Sequence, residues 1–131
     1  MTREKVDSGS RWEPIVGFSR AVKVGKHVFV AGTTAVDSDA NVIGINDPYK
    51  QTVYILKKIE TALQKVGVSF KDTVRTRIYT TNIDFWDEIG RAHGEVFGEI
   101  RPASTIVEVQ RLIVEDMLVE IELECMVDQN E

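Results

Sequence analysis

The sequence predicts an α+β domain, a mixed sheet with two helices on one face. Three observations predict it: two runs with helical apolar spacing, near residues 48–66 and 84–98; five or six β-rich runs around them; and a length of 131 residues, which suits one core. No linker, internal repeat or low-complexity tract divides the chain.

The first 14 residues, beginning MTREKVDSGS, are polar and are expected to form a flexible segment ahead of a single domain over 15–131. From Ser19 to Thr34, two β-rich runs flank Gly25-Lys26 and read as a hairpin. A polar loop follows, with room for a short strand over Val42 to Ile45. Asp47 then offers a side-chain cap and Pro48 a first-turn proline. Val53, Leu56, Ile59, Leu63 and Val66 recur at three- and four-residue spacing up to Gly67, which supplies the stop.

The run TVRTRIYTT is rich in β-formers, with Val74, Thr76 and Ile78 expected on one face and Arg75, Arg77 and Tyr79 on the other. A second helix is expected from about Asp84, burying Trp86, Ile89, His93 and Val96 or Phe97. Two alternating strands close the chain, Thr105 to Leu112 and Leu118 to Val127. The second sets Val119, Ile121, Leu123, Cys125 and Val127 opposite Glu120, Glu122 and Glu124.

Composition narrows the function. With 43% hydrophobic and 28% charged residues and no long apolar run, the chain reads as a soluble globular protein, not a membrane one. The polar N-terminus lacks a secretory apolar region, so a cytoplasmic location is expected. A net charge of −5 without a basic block disfavours nucleic acid and anionic lipid as partners. Cys125, the single cysteine, sits in an apolar parity and reads as a core side chain. Only His27 and His93 supply imidazole and no ligand spacing is present, so no metal is expected.

Several separated motifs agree in order and spacing with one family. RPASTIVEVQRL followed by LVEIELE, the hairpin VGFSRAVKVGKHVFVAGTTAVD and the stretch ALQKVGVSFKDTVRTRIYTTNIDFWDEI together resemble the RidA (YjgF) family over about Ile15 to Val127. The resemblance implies a chorismate-mutase-like fold, a homotrimer and a small-molecule ligand in each intersubunit cleft. It also implies hydrolysis of reactive enamines and imines to keto compounds and ammonia, without a cofactor.

Within that resemblance, Glu120 matches the acidic residue that orients or activates the attacking water. A carboxylate does this work when it reaches the water and its pKa is suitably set. The residue after Pro102 and Ala103 departs from the pattern. Where much of the family has an arginine that grips the substrate carboxylate, this chain has Ser104, which brings no charge. A frequent cleft tyrosine is likewise matched by Phe18.

Substrate contacts are therefore expected from Ser104, Thr105 and the apolar wall of Phe18, with Arg101 the candidate to restore a positive charge. The stretch RAHGEVFGEIRPAS resembles a recurring family variant, in which His93 either lines the cleft or is a hydrogen-bonded core residue. A solvated polar face competes as the explanation of Glu122 and Glu124. Two other functions compete with the deaminase: a binding or regulatory trimer without turnover, and the ribonuclease or translation-inhibitor role of some relatives, which an acidic chain lacking a basic aromatic patch disfavours.

Overall fold

The computed structural model describes residues 2–128. Its six strands are β1 (Arg3–Val6), β2 (Ala21–Val24), β3 (His27–Thr34), β4 (Thr73–Thr80), β5 (Ala103–Glu108) and β6 (Val119–Met126). The two main helices are α1 (Pro48–Gln64) and α2 (Trp86–Phe97). The sheet runs in the order β1-β2-β3-β6-β4-β5, antiparallel except for the parallel β4–β5 pair, whose crossover is α2.

Local chemistry sets these elements. Val24 pairs with His27 around a two-residue turn in which Gly25 takes φ +59°, the left-handed geometry that lets a tight turn match strand twist. The Asp47 carboxylate accepts the Lys50 N–H at 3.0 Å, with Pro48 in the first turn of α1. Gly67 follows the helix at φ +72°, and Val68 N–H closes back on Leu63 O at 3.0 Å.

One core forms between the sheet and both helices. Val28, Val30, Ile78, Val119, Ile121, Leu123 and Cys125 from the strands meet Ile55, Leu56, Ile59 and Leu63 from α1, and Ile89 and Phe97 from α2. Cys125 is buried there, as its parity predicts, and burial pushes its thiol pKa up to about 11. No helix among the described residues is long and apolar enough to cross a membrane.

The structure corrects several local expectations. The polar segment at the start supplies an edge strand: Arg3 to Val6 pair with Val24 to Ala21, and Val6 is buried. Backbone pairing needs no apolar pattern, so the sequence carries little sign of it. The strand expected over 42–45 shrinks to a single bridge, Val36 with Val42, because Gly44 and Asn46 both adopt positive φ.

In β4 the pairing register slips between Thr73 and Arg75, which leaves Val74 exposed in place of the inward position expected for it. Trp86 is 60% exposed, since helical periodicity fixes a bearing around the axis but not where along it the packing partner ends. The strand expected over 105–112 runs from Ala103 to Glu108. It stops there because β4, its only partner among the described residues, ends at the Thr80–Glu108 pair.

Candidate active site

Glu120 and Phe18 line one cavity of about 700 Å³, beside the far end of β3 and beneath the N-terminal loop. The loop turns through a π-helical segment, Glu13–Gly17, and Gly17 at φ +92° lets the chain swing back into extended Phe18. Opposite Phe18, β3 slips register between Val30 and Thr33, and this bulge carries Gly32. Glu120 faces Thr34 across the β3–β6 ladder and fills the space beside Gly32. A Cβ built there would overlap Glu120 Oε2 and lie 3.0 Å from its Cδ.

A buried ion pair supports this wall. Arg20 Nη2 lies 3.2 Å from Glu13 Oε2, and both side chains are almost wholly buried. Arg20 Nη1 also donates to Gly32 O at 2.6 Å and Thr33 Oγ1 at 3.1 Å, so the guanidinium holds the bulge in shape. Its carbon stands 5.3 Å from the Phe18 ring centre. Burial would raise the Glu13 pKa, but hydrogen bonds from Ser8 and the Arg20 charge outweigh it and the net direction is down.

Glu120 shifts the other way. Burial raises its pKa, the Arg20 charge offsets part of that rise, and Glu122 adds to it. Such a carboxylate holds a proton more readily than an exposed one and suits proton exchange with a bound water. Lys58 enters the cavity from α1, donating to Thr34 O at 3.0 Å and Val36 O at 2.8 Å, and burial lowers its pKa to about 8.

The remaining predicted contacts lie elsewhere in the chain. Ser104 is exposed on β5, opposite Thr76, which in turn faces Leu123. Glu120 lies three residues along β6 from Leu123, so strand geometry puts Ser104 and Glu120 about 14 Å apart at Cα. Their side chains also leave opposite faces. Ser104 Oγ contacts Thr76 Oγ1 at 2.7 Å, and that atom lies 3.0 Å from His93 Nε2 on α2. Glu120 has the parity of Glu122 and Glu124 instead.

Thr105 is exposed and sits beside Arg77 in the ladder. Arg101, also exposed, adopts φ +56° after α2, and its N–H donates to Phe97 O at 2.8 Å. His93 is half-buried, its ring lies tilted against Phe97 with ring centres 4.6 Å apart, and its pKa is lowered by burial. On the helix-free face, Arg77 pairs with Glu124 at 3.0 Å and the Tyr79 hydroxyl donates to Glu122. Among the described residues no group of three or more His, Cys, Asp or Glu side chains is placed to hold a metal.

Sequence reasoning missed Arg20, Glu13, Gly32 and Lys58. Lys58 left a trace, because it falls three residues after Ile55 and four before Ala62, on the edge of the buried stripe of α1. The Arg20–Glu13 pair left none, since neither residue interrupts a clear apolar period.

A six-stranded sheet backed by two helices, with a carboxylate in a cavity at one end, defines a small α+β protein with a ligand-sized site. The chain belongs to the YjgF/RidA family: residues 8–127 match the family model described as Endoribonuclease L-PSP. Its backbone superimposes on the crystal structure of Rv2704, a YjgF/YER057c/UK114 family member from Mycobacterium tuberculosis, with TM-score 0.87 and 45% identity. That match covers 96% of this chain and 100% of the other. A RutC family protein of Pyrococcus abyssi is 33% identical over 93% of this chain and 95% of its own length. The 3-aminoacrylate deaminase RutC of Acinetobacter baylyi is 31% identical over 82% of this chain and 85% of its own.

Proposed function

We propose that the protein is a homotrimeric, metal-independent imine or enamine deaminase of altered substrate range. The observation that carries this reading is the half-buried Glu120 carboxylate, wedged against Gly32 in a cavity with Phe18 and Arg20 and with its pKa raised. In the reaction Glu120 accepts a proton from water as its oxygen adds to the C=N carbon. The carboxyl then returns the proton to nitrogen, and collapse of the carbinolamine gives the carbonyl product and ammonia. Phe18 is the apolar wall, while Ser104 and Thr105, with Arg101 beside them, hold the polar end of the substrate.

The same geometry supports the oligomeric part of this reading. Ser104 and Glu120 are too far apart, on opposite faces, for one chain to present both to a small molecule, so the second set comes from a neighbouring copy. The helix-free face offers a surface for it, with Phe29 49% and Val107 42% exposed beside the Tyr79–Glu122 and Arg77–Glu124 pairs. The RutC relative named a 3-aminoacrylate deaminase supports the reaction class.

A second reading is favoured by Ser104 itself. Without an arginine there, the trimer binds a metabolite and turns nothing over. Ammonia release from freshly generated 2-iminopropanoate and 2-iminobutanoate decides between them, comparing wild type, Glu120→Gln and Ser104→Arg. Wild-type turnover that Glu120→Gln abolishes supports the deaminase. An inactive wild type with activity appearing only in Ser104→Arg supports the binding protein. Sedimentation equilibrium tests the trimer, and a monomer at micromolar concentration overturns it.

A further inference from the structure

Three side chains on three elements form one hydrogen-bonded row: His93 on α2, Thr76 on β4 and Ser104 on β5. Thr76 is fully buried at the centre. A hydroxyl owns one proton, so with Thr76 donating to Ser104 it can only accept from His93. The row therefore runs in a single direction.

Thr76 donates to Ser104 at 2.7 Å, which leaves its lone pair for His93 and places an imidazole proton on Nε2, 3.0 Å away. Nδ1 has no protein acceptor among the described residues, so no second protein contact competes for the ring proton. Protonation of the ring would add a proton at Nδ1 without removing the one at Nε2, and the direction holds in both charge states.

The consequence falls on the open end. Ser104 accepts from Thr76 and is exposed, so its own hydroxyl proton is free to point outward. Resting on the reading of Ser104 as a ligand contact, we infer that the His93–Thr76–Ser104 row commits Ser104 to donate a hydrogen bond to an acceptor oxygen of the ligand, a carboxylate or carbonyl. His93 and Thr76 are positioning residues for that contact. A hydroxyl that already accepts a hydrogen bond is polarised into a better donor. The row thus supplies direction, though not charge, at the position where the family's arginine is missing.

Two measurements test it. Long-range ¹⁵N–¹H correlation of the His93 ring in the unliganded wild type is expected to show the proton on Nε2, with that preference lost in Thr76→Val. A proton on Nδ1 reverses the row and overturns the inference, whatever the fate of the deaminase assay. Titration with 2-oxobutanoate, a stable keto acid, is the second arm. Ser104→Ala and His93→Leu are each expected to weaken binding roughly tenfold. His93→Gln, whose amide N–H reaches the same oxygen, is expected to restore it. Equal affinity in all variants, or no binding by wild type, overturns the ligand role. Circular dichroism melts identify any variant that fails to fold, in which case the wild-type tautomer decides.

Discussion

The Glu120 carboxylate occupies the volume that any side chain at position 32 would need, so Gly32 and Glu120 form one steric unit across the β3–β6 ladder. Gly32→Ala should push the carboxylate aside while leaving the backbone in place. Moving the end of a flexible side chain off its rotamer costs only about 1 kcal/mol. A misplacement near 1 Å in a catalytic group can cost on the order of 10²-fold in rate. On the proposed deaminase reading, turnover should therefore collapse with a melting temperature close to wild type, and a variant of full activity would show that Glu120 need not stand where it does.

Glu120→Gln should be more stable than wild type at neutral pH while losing roughly 10²- to 10⁴-fold in turnover. The folded state raises this carboxyl's pKa above its ordinary value of 4.5, chiefly by burial, so the native chain binds a proton where the unfolded chain has lost it. Stability from this group consequently falls as pH rises through that interval. Thermal melts of the two proteins should separate at pH 7 and converge below the ordinary carboxylate range. Convergence at pH 7 as well would mean that the site does not strain the charge.

Removing one partner of the Arg20–Glu13 pair leaves a charge buried without its counterion. Arg20→Met should destabilise the fold by about 3–5 kcal/mol in denaturant titrations. Glu13 has a lowered folded pKa, so its contribution is present above the ordinary carboxylate value and is lost as pH falls through the lowered one. The acid limb of the stability profile should flatten in the variant, since the Arg20 charge is one source of that lowering.

Cys125 should resist alkylation in the folded protein. Burial pushes its thiol up to about 11, leaving almost no thiolate at pH 8, and the sulfur is packed in the core beside Thr73 Oγ1 at 3.7 Å. Iodoacetamide followed by intact-mass measurement should find native chains unlabelled, and chains in guanidinium carrying one label.

What the sequence revealed was mostly local. Gly25 in its turn, Asp47 and Pro48 at the start of α1, and the parity that buries Cys125 and turns Glu120 out of the apolar core all depend on neighbours within a few residues. The polar strand β1 and the bulge at Gly32 were hidden, because backbone pairing and register slips leave no mark on hydrophobic period. His93 was legible as an ambiguity, cleft or core. What gives it a definite partner is Thr76, 17 residues away, and the row reaches Ser104 only across a further 28. The site is a set of such distant meetings: Arg20 reaches Gly32, and Lys58 reaches Thr34.

The strand order has one more consequence, for how the molecule comes into being. β6, last of the six in sequence, lies between β3 and β4 and is, among the described residues, the only strand that ladders to both. Until residues 119–126 have emerged during synthesis, the chain holds one ladder over β1 to β3 and another over β4 and β5, with no hydrogen-bonded seam between them. A nascent chain halted at residue 118 should therefore show no cooperative unfolding and no slow-exchanging amides in β3 or β4. Glu120 arrives with that same closing strand, so the ribosome joins the two ladders and places the cavity's half-buried carboxylate in one step.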